Sequence, residues 1–495
     1  MVRVHLSSPR RRHSAVATLL AAPCLALAAC GGGTEGPSPR ATVRNVLLFT
    51  VDTLRADQLG CYGNPQGATP AADALAAESL RFDRAYSQAT ITNPSLTSML
   101  TGLVPPQHGV HDQASGFAKG ILPAPLMIQA EGIATGSFIA NMCKLQDTPH
   151  TVFHDGWDER FCGMLDDPEN YSEQYLWDEA VVTAGLDWID VQEGPWFAWI
   201  HLMDPHAEHR PPPHLWDWER DAPREKFDQY AYYNRYEELR EMPPADVVER
   251  LWQLYSAEIQ ASDEQFARAL AAMHARDDWD RTAVIFSADH GEELFETWVR
   301  YDHGFSMTEG VFHVPLMVRA PGLDAGVFEL PVESLQIAPT LLDLFEIDLP
   351  YEMAGASLLE QNPSTGIAMS FAGSLATSVR GPVNRYWKRL TAEPFTREFA
   401  PWRTEAPWFV EPECLVTYAA PPPGWQPTWL DVGAAENAKV LQRMRRSMEE
   451  RDKQLIRFGA GFRIDDPELM EKLQQLGYTG LELGGDPTPA DRQGE

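Results

Sequence analysis

Three stretches of this sequence set acids, imidazoles and a hydroxyl where a chain changes direction. Asp52 closes the apolar run Val46 to Val51. Asp289 and His290 follow another apolar run, Ala283 to Ser287, and lead into Gly291-Glu292-Glu293. Thr92 opens the stretch Thr92-Asn93-Pro94-Ser95-Leu96. Carboxylate oxygens and an imidazole nitrogen are donors that a divalent cation accepts, and the neighbouring glycine gives the turn its freedom. Two buried carboxylates from different strands call for a cation or hydrogen bonds, since unpaired burial is costly. Asn93 as N-cap and Pro94 at the first helical position would put Thr92 at the positive end of a helix, where an oxyanion nucleophile or a bound anion is favoured. The chemistry these types allow is attack of a hydroxyl on an ester centre beside a metal ion. Taken alone, the Asp-His-Gly tripeptide reads as a polar loop and Thr92 equally as a residue that starts a helix; it is their combination that suggests a site.

The elements around them must bring these stretches together. Val46 to Val51 is apolar without alternation, the pattern of a strand buried on both faces of a parallel sheet. Gly136 to Ala140, Trp196 to Met203, Ala283 to Ser287 and His313 to Val318 repeat it. Helical spacing fills the intervals at Pro70 to Leu80, Trp177 to Trp188 and Ala245 to Ala275. Alternating strand and helix predicts an α/β fold, a doubly wound and mostly parallel sheet flanked by helices. Ligands of such sheets gather at the carboxyl ends of the strands, and three strand candidates end at Asp52, Asp204 and Asp289-His290. Glu208 to Pro244, rich in Pro, Trp and Tyr, is expected to be a long loop or lid over that edge. Beyond about Pro350 the rhythm weakens into short strand candidates, Ala376 to Arg380 and Tyr386 to Leu390, and a polar helix from Ala434 to Leu455. The expected division is a catalytic domain over 44–348, a smaller α+β subdomain over 349–483 and a disordered tail over 484–495.

Composition narrows the function. Forty basic against 71 acidic residues give a formal charge of −31, which repels nucleic acid backbones and does nothing to attract anions from a distance. An anionic substrate must therefore be held locally. At the start, Arg3, Arg10, Arg11 and Arg12 precede an apolar stretch, Ala15 to Ala29, and then Cys30 and three glycines. That is the plan of a secretory signal over 1–29, and Leu27-Ala28-Ala29-Cys30-Gly31 resembles the bacterial lipobox, in which the cysteine becomes the lipidated first residue. Residues 30–43 then form a Gly/Pro/Thr/Ser tether. The expectation is an exported lipoprotein of the cell envelope, held on the membrane only through Cys30, because no other stretch approaches the roughly 20 apolar residues of a span. Of the remaining cysteines, Cys143 and Cys162 are the pair expected to join in an oxidising compartment.

The ordering of motifs is more specific than any one of them. FTVDTLRADQLGCYG (Phe49 to Gly63), TNPSLTSMLTG (Thr92 to Gly102), the HGV at His108, MDPH (Met203 to His206), SADHGEE (Ser287 to Glu293), the DHG around His303, VPLMVRAPG (Val314 to Gly322), APTLLDLF (Ala338 to Phe345) and LGYTG near Tyr478 succeed one another along the chain. From Asn45 to Gly480 this series resembles the sulfatases of the alkaline phosphatase superfamily. The resemblance implies that Asp52, Asp289 and His290 hold one divalent metal ion, that Thr92 stands where the family places its nucleophile, and that His206 and His303 contact the anionic oxygens or assist the leaving group. Lys388 matches a common basic position of the C-terminal subdomain, with no role assigned to it.

The departures from that family matter as much. Sulfatases carry Cys or Ser in a C/S-x-P-x-R pattern, the first residue becoming formylglycine, whereas this chain has Thr92 and, in place of the arginine, Leu96. No formylglycine is expected. Thr53 stands where a second aspartate is usual, and Ala207-Glu208-His209 comes after the Asp-Pro-His motif in place of the family's pattern. With one carboxylate fewer and a nitrogen donor, the site should favour Mn²⁺ or Zn²⁺ over Ca²⁺. A threonine nucleophile resembles the phosphodiesterases, phosphonate hydrolases and headgroup transferases of the same superfamily. The sequence thus implies a hydrolase of anionic sulfate or phosphate/phosphonate esters. The alternatives are an envelope phospho-headgroup transferase, which usually brings several membrane spans, and a non-catalytic protein that kept the fold, which intact Asp52, Asp289 and His290 argue against.

Overall fold

Apolar runs become central strands here because a sheet covered on both faces needs water-shunning side chains on both. A computed structural model describes residues 43–163, 174–217, 242–295, 301, 303–304, 307–360, 368–372, 376–380, 384–389, 413–418, 427–456, 458 and 461–463. Its main sheet uses eight strands: β1 (Asn45–Val51), β2 (Leu80–Phe82), β3 (Ala134–Ile139), β4 (Glu159–Cys162), β5 (Trp196–Leu202), β6 (Thr282–Ala288), β7 (Leu316–Arg319) and β8 (Gly326–Phe328). They lie in the order β8-β2-β7-β6-β1-β5-β3-β4. Strands β6, β1, β5, β3 and β4 run parallel, and β7 is antiparallel to both its neighbours. Every residue of β1, β5 and β6 is buried. The register sets Val51 beside Leu202 and Ala288, so the three central strands end level and the chain leaves all of them at one edge of the sheet.

Helices cover the sheet as expected. Pro70–Ala77 (α1), Gln174–Asp190 (α4) and the 30-residue Ala245–His274 (α5) pack in series, as do Thr92–Thr101 (α2), Ala124–Ala130 (α3) and Ile337–Leu344 (α6). Phe266 of α5 wedges between Phe49 and Phe286, its ring centroid 4.7 and 4.6 Å from theirs. Fully burying an aromatic of that size contributes about 1.5–3 kcal/mol. Two expectations need correction. Helix α1 stops at Ala77, and Leu80 belongs to β2. The run His313 to Val318 is two strands: Pro315, with no N–H to give a ladder, separates His313–Val314, which pairs with Ala85–Tyr86, from β7.

The C-terminal part is a five-stranded antiparallel meander, β9 (Ala368–Ala372), β10 (Ala376–Arg380), β11 (Asn384–Arg389), β12 (Glu413–Tyr418) and β13 (Pro427–Leu430), covered by the helix α7 (Ala438–Gln454). Met369, Phe371, Val379, Tyr386 and Leu415 of the sheet share a core with Leu441, Met444 and Met448 of α7. A bridge between Ala89 and Phe371 joins this sheet to the segment that leads into α2. Cys143 and Cys162 are disulfide-bonded. No helix among the described residues is long and apolar enough to cross a membrane. The signal, Cys30, most of the tether, residues 218–241 of the expected lid, the Tyr478 stretch and the tail lie outside the described residues.

Candidate active site

Because β1 and β6 are neighbours that end level, the next residues, Asp52 and Asp289, meet. Ligand atoms of Asp52, Asp289 and His290 lie within 4.8 Å of one another, all fully buried. Each of the three side chains has one atom with no hydrogen bond: Asp52 Oδ1, Asp289 Oδ2 and His290 Nε2. His290 Nε2 is 3.4 Å from Asp289 Oδ2 and 3.9 Å from Asp52 Oδ1. The other atoms are fixed. Asp289 Oδ1 accepts the amides of Thr53 at 3.2 Å and His290 at 2.7 Å. His290 Nδ1 faces the Gly291 carbonyl at 2.9 Å; a carbonyl only accepts, so Nδ1 carries the proton and Nε2 the lone pair. Burial holds His290 down to about 3, so its ring is neutral near pH 7. Two carboxylate oxygens and an imidazole lone pair thus converge with no donor between them, which is the arrangement a divalent cation satisfies. The two acids diverge in charge. Burial and the charge of Asp52 push Asp289 well up. Burial also pushes Asp52 up, but the His201 ring, with His206 and His290, outweighs it and holds Asp52 below the usual range.

Thr53 accounts for part of this geometry. Its φ of 54° is in the left-handed region, which a β-branched residue rarely adopts. In this conformation its amide donates to Asp289 and its carbonyl accepts the Tyr255 hydroxyl at 2.6 Å. The position where a second aspartate was missing therefore supplies a backbone contact to Asp289.

Helix α2 begins at Thr92 itself, with extended Ile91 as N-cap, not at Asn93-Pro94 as the capping pattern implied. Asn93 does not cap: its Nδ2 donates to the carbonyls of Asp112, Gln113 and Ser115, at 3.1, 3.3 and 2.8 Å, and its Oδ1 accepts the Thr97 hydroxyl at 3.3 Å. Thr92 still stands at the positive end of the helix, and its hydroxyl donates to Asp52 Oδ2 at 3.4 Å. Ser95 Oγ donates to the Asp289 carbonyl at 2.5 Å, tying the helix to the end of β6. Leu96 is buried in the main core.

The histidines complete the edge. His303 and His206 have ring centroids 5.1 Å apart, and His303 lies 4.4 Å from His290. His303 Nδ1 faces Glu292 Oε2 at 3.1 Å, and His206 Nδ1 faces the Ala207 carbonyl at 2.6 Å. Burial pushes His206 down. Asp204, the third strand-end acid, is not one of the converging trio; its amide goes to Asp178. His209 pairs with Glu258 of α5 at 2.6 Å. Lys388 is exposed on β11, opposite Glu413 in register. Two neighbours of Asp52 escaped the sequence reading: Asn141, whose Nδ2 is 3.5 Å from Oδ2, and His201, whose Nε2 is 3.8 Å from it. A histidine inside the otherwise apolar Trp196-to-Leu202 run was the available signal for the second.

A doubly wound sheet whose strand ends gather two acids, three imidazoles and a helix-end hydroxyl is equipped to cleave ester bonds, and comparison with known proteins shows such a hydrolase. The chain belongs to the sulfatase family, whose model matches residues 44–347. It is 24% identical to the uncharacterised sulfatase YidJ of Escherichia coli over 371 residues, covering 66% of this chain and 73% of that one. It is 26% identical to the ulvan-active sulfatase of Formosa agariphila, covering 65% and 66%. The fold matches the phosphonate monoester hydrolase of Agrobacterium radiobacter with a TM-score of 0.64 at 18% identity, covering 83% of this chain and 96% of that one.

Proposed function

We propose that this chain hydrolyses anionic sulfate or phosphorus esters through Thr92, with Asp52, Asp289 and His290 holding one divalent metal ion. The observation that carries this reading is the Thr92 hydroxyl 3.4 Å from Asp52 Oδ2, on the carboxylate whose Oδ1 converges with Asp289 and His290 and lacks a hydrogen bond. A bound ion would supply positive charge for the attacking and non-bridging oxygens. The Thr92 hydroxyl directs its proton to Asp52 Oδ2 as its oxygen bonds to phosphorus or sulfur and the ester oxygen departs. Of the two candidate acids, His303 is the better one: the Glu292 carboxylate at its Nδ1 stabilises the imidazolium that must give a proton to the leaving oxygen. His206, with a neutral carbonyl at Nδ1 and pushed down by burial, suits contact with the substrate's oxygens. Water then hydrolyses the threonine ester and restores Thr92.

That last step favours phosphorus. A formylglycine hydrate can expel sulfate by elimination, whereas a threonine sulfate must be hydrolysed outright. Sulfate remains the second reading because the relatives matched by sequence are sulfatases, one of them named as ulvan-active. The test compares kcat/KM for matched nitrophenyl phosphodiester, phosphonate and sulfate esters in wild type and Thr92→Ala. Phosphorus esters should be preferred, and Thr92→Ala should lose at least about 10³-fold. Preference for the sulfate would reverse the substrate reading, and undiminished turnover in Thr92→Ala would remove the nucleophile.

A further inference from the structure

Asp52 uses its two oxygens differently. Oδ1 is the one without a hydrogen bond, whereas Oδ2 meets Thr92 Oγ1 at 3.4 Å, Asn141 Nδ2 at 3.5 Å and His201 Nε2 at 3.8 Å. His201 is fully buried in β5, directly across from Thr50 of β1 in the parallel register. Its Nδ1 is 2.9 Å from Thr50 Oγ1, and the same oxygen receives the indole N–H of Trp199 at 2.9 Å. An indole N–H can only donate, so one lone pair of the Thr50 oxygen is taken. If His201 also donated to Thr50, the threonine proton would be left buried with no acceptor, which is costly. The hydroxyl therefore donates to Nδ1, and His201 is the tautomer with its proton on Nε2. Asp52 Oδ2 lies 3.8 Å from that nitrogen, a charge–dipole contact longer than a hydrogen bond, and Nε2 has no hydrogen bond of its own.

We propose that Trp199, Thr50 and His201 form a buried relay that makes His201 a positioning residue for Asp52, holding Oδ2 outward so that Oδ1 faces the metal. The inference rests on the proposal that Asp52, Asp289 and His290 bind a metal ion. His201 is not itself a ligand: it stands outside the group of atoms that converge on one point, and its inward nitrogen carries a proton. What it supplies is orientation. A carboxylate held at one oxygen turns less freely and presents the other in a fixed direction, which is how groups behind a ligand raise metal affinity.

The test is calorimetric titration of Mn²⁺ and of Zn²⁺ into chelator-stripped full-length protein, which reads binding independently of turnover. Asp289→Asn is the control for the metal site itself: if it binds metal as wild type does, the metal site is misplaced and the inference falls with it. With that control defective, His201→Leu should bind about 10–100-fold more weakly, and His201→Gln, whose amide N–H can reach towards Asp52, should recover most of the loss. Thr50→Val keeps the volume of the strand while removing both the proton that sets the tautomer and the acceptor of the Trp199 N–H, and should weaken binding in the same direction in protein whose unfolding curve shows it folded. Wild-type affinity in His201→Leu or in Thr50→Val would overturn the relay, as would His201→Gln no better than His201→Leu, while leaving the metal reading standing.

Discussion

Asp289 and Asp52 present carboxylates to one buried point, and two negative charges there are held together only by a cation or a proton. With burial and the Asp52 charge pushing Asp289 up, the metal-free protein holds a proton on Asp289 to higher pH than an ordinary carboxyl does, and in that range an arriving ion must displace it. His290, held down to about 3, offers no such competition near neutrality. Apparent metal affinity therefore weakens as pH falls and rises by about tenfold per pH unit for one proton released, levelling off above the raised pKa of Asp289. Titrations at a series of pH values check this; a flat profile would show that Asp289 is not a protonated ligand. At this scale the sequence was legible where a polar residue interrupts or ends an apolar run, as at Asp52 and Asp289-His290. His201 lies near Asp52 from within β5 and Asn141 from just past the end of β3, and no linear pattern states that register. The capping rule erred at Asn93 for a similar reason, its amide being drawn to the carbonyls of residues 112–115.

Between elements, the C-terminal sheet grips the segment that carries His303. Glu309 comes after that segment, and its Oε1 accepts Arg380 Nε of β10 and Arg385 Nε of β11, each at 2.9 Å, all three side chains buried. Trp387 Nε1 donates to the Met307 carbonyl at 3.2 Å, and Thr308 Oγ1 to Glu293 Oε2 at 2.7 Å. Glu309→Ala leaves two buried guanidinium groups without their carboxylate, which should cost about 3–5 kcal/mol in denaturant unfolding and lower turnover by loosening His303. Burial pushes the Glu309 carboxyl up, but Arg380 and Arg385 outweigh it and hold it below its ordinary 4.5. A carboxyl lowered in the folded state contributes stability that is complete above about 4.5 and lost as pH falls below it. Unfolding curves of Glu309→Gln should therefore be flatter with pH in the acid range than those of wild type, and parallel curves would count against the clamp. Element types were legible from apolar period and helical spacing; strand pairing was not. Pro315 divides a run that reads as one strand because it can supply no ladder N–H, and the meander's grip on the His303 segment depends on β10 and β11 being adjacent.

Over the whole molecule, the ordered motifs identified the fold because an active site drawn from Asp52 to His303 constrains every element between. Composition adds an excess of acid, 71 acidic residues against 40 basic ones. That charge also sharpens the expectation for the N-terminus. A chain at −31 is repelled by an anionic leaflet, so its overall charge does not hold it on a membrane. No described helix is apolar and long enough to span one. Membrane retention, with Leu27 to Cys30 read as a lipobox, is then expected to rest on acyl chains at Cys30, several of which hold firmly where one binds marginally. Wild type should stay with membranes through a high-salt wash and incorporate labelled fatty acid. Cys30→Ala should do neither, while any of it that is exported keeps its esterase activity in the soluble fraction. Equal recovery of Cys30→Ala and wild type in washed membranes would place the anchor elsewhere in the chain, and a wild type that is soluble and unlabelled would make residues 1–29 a plain signal peptide.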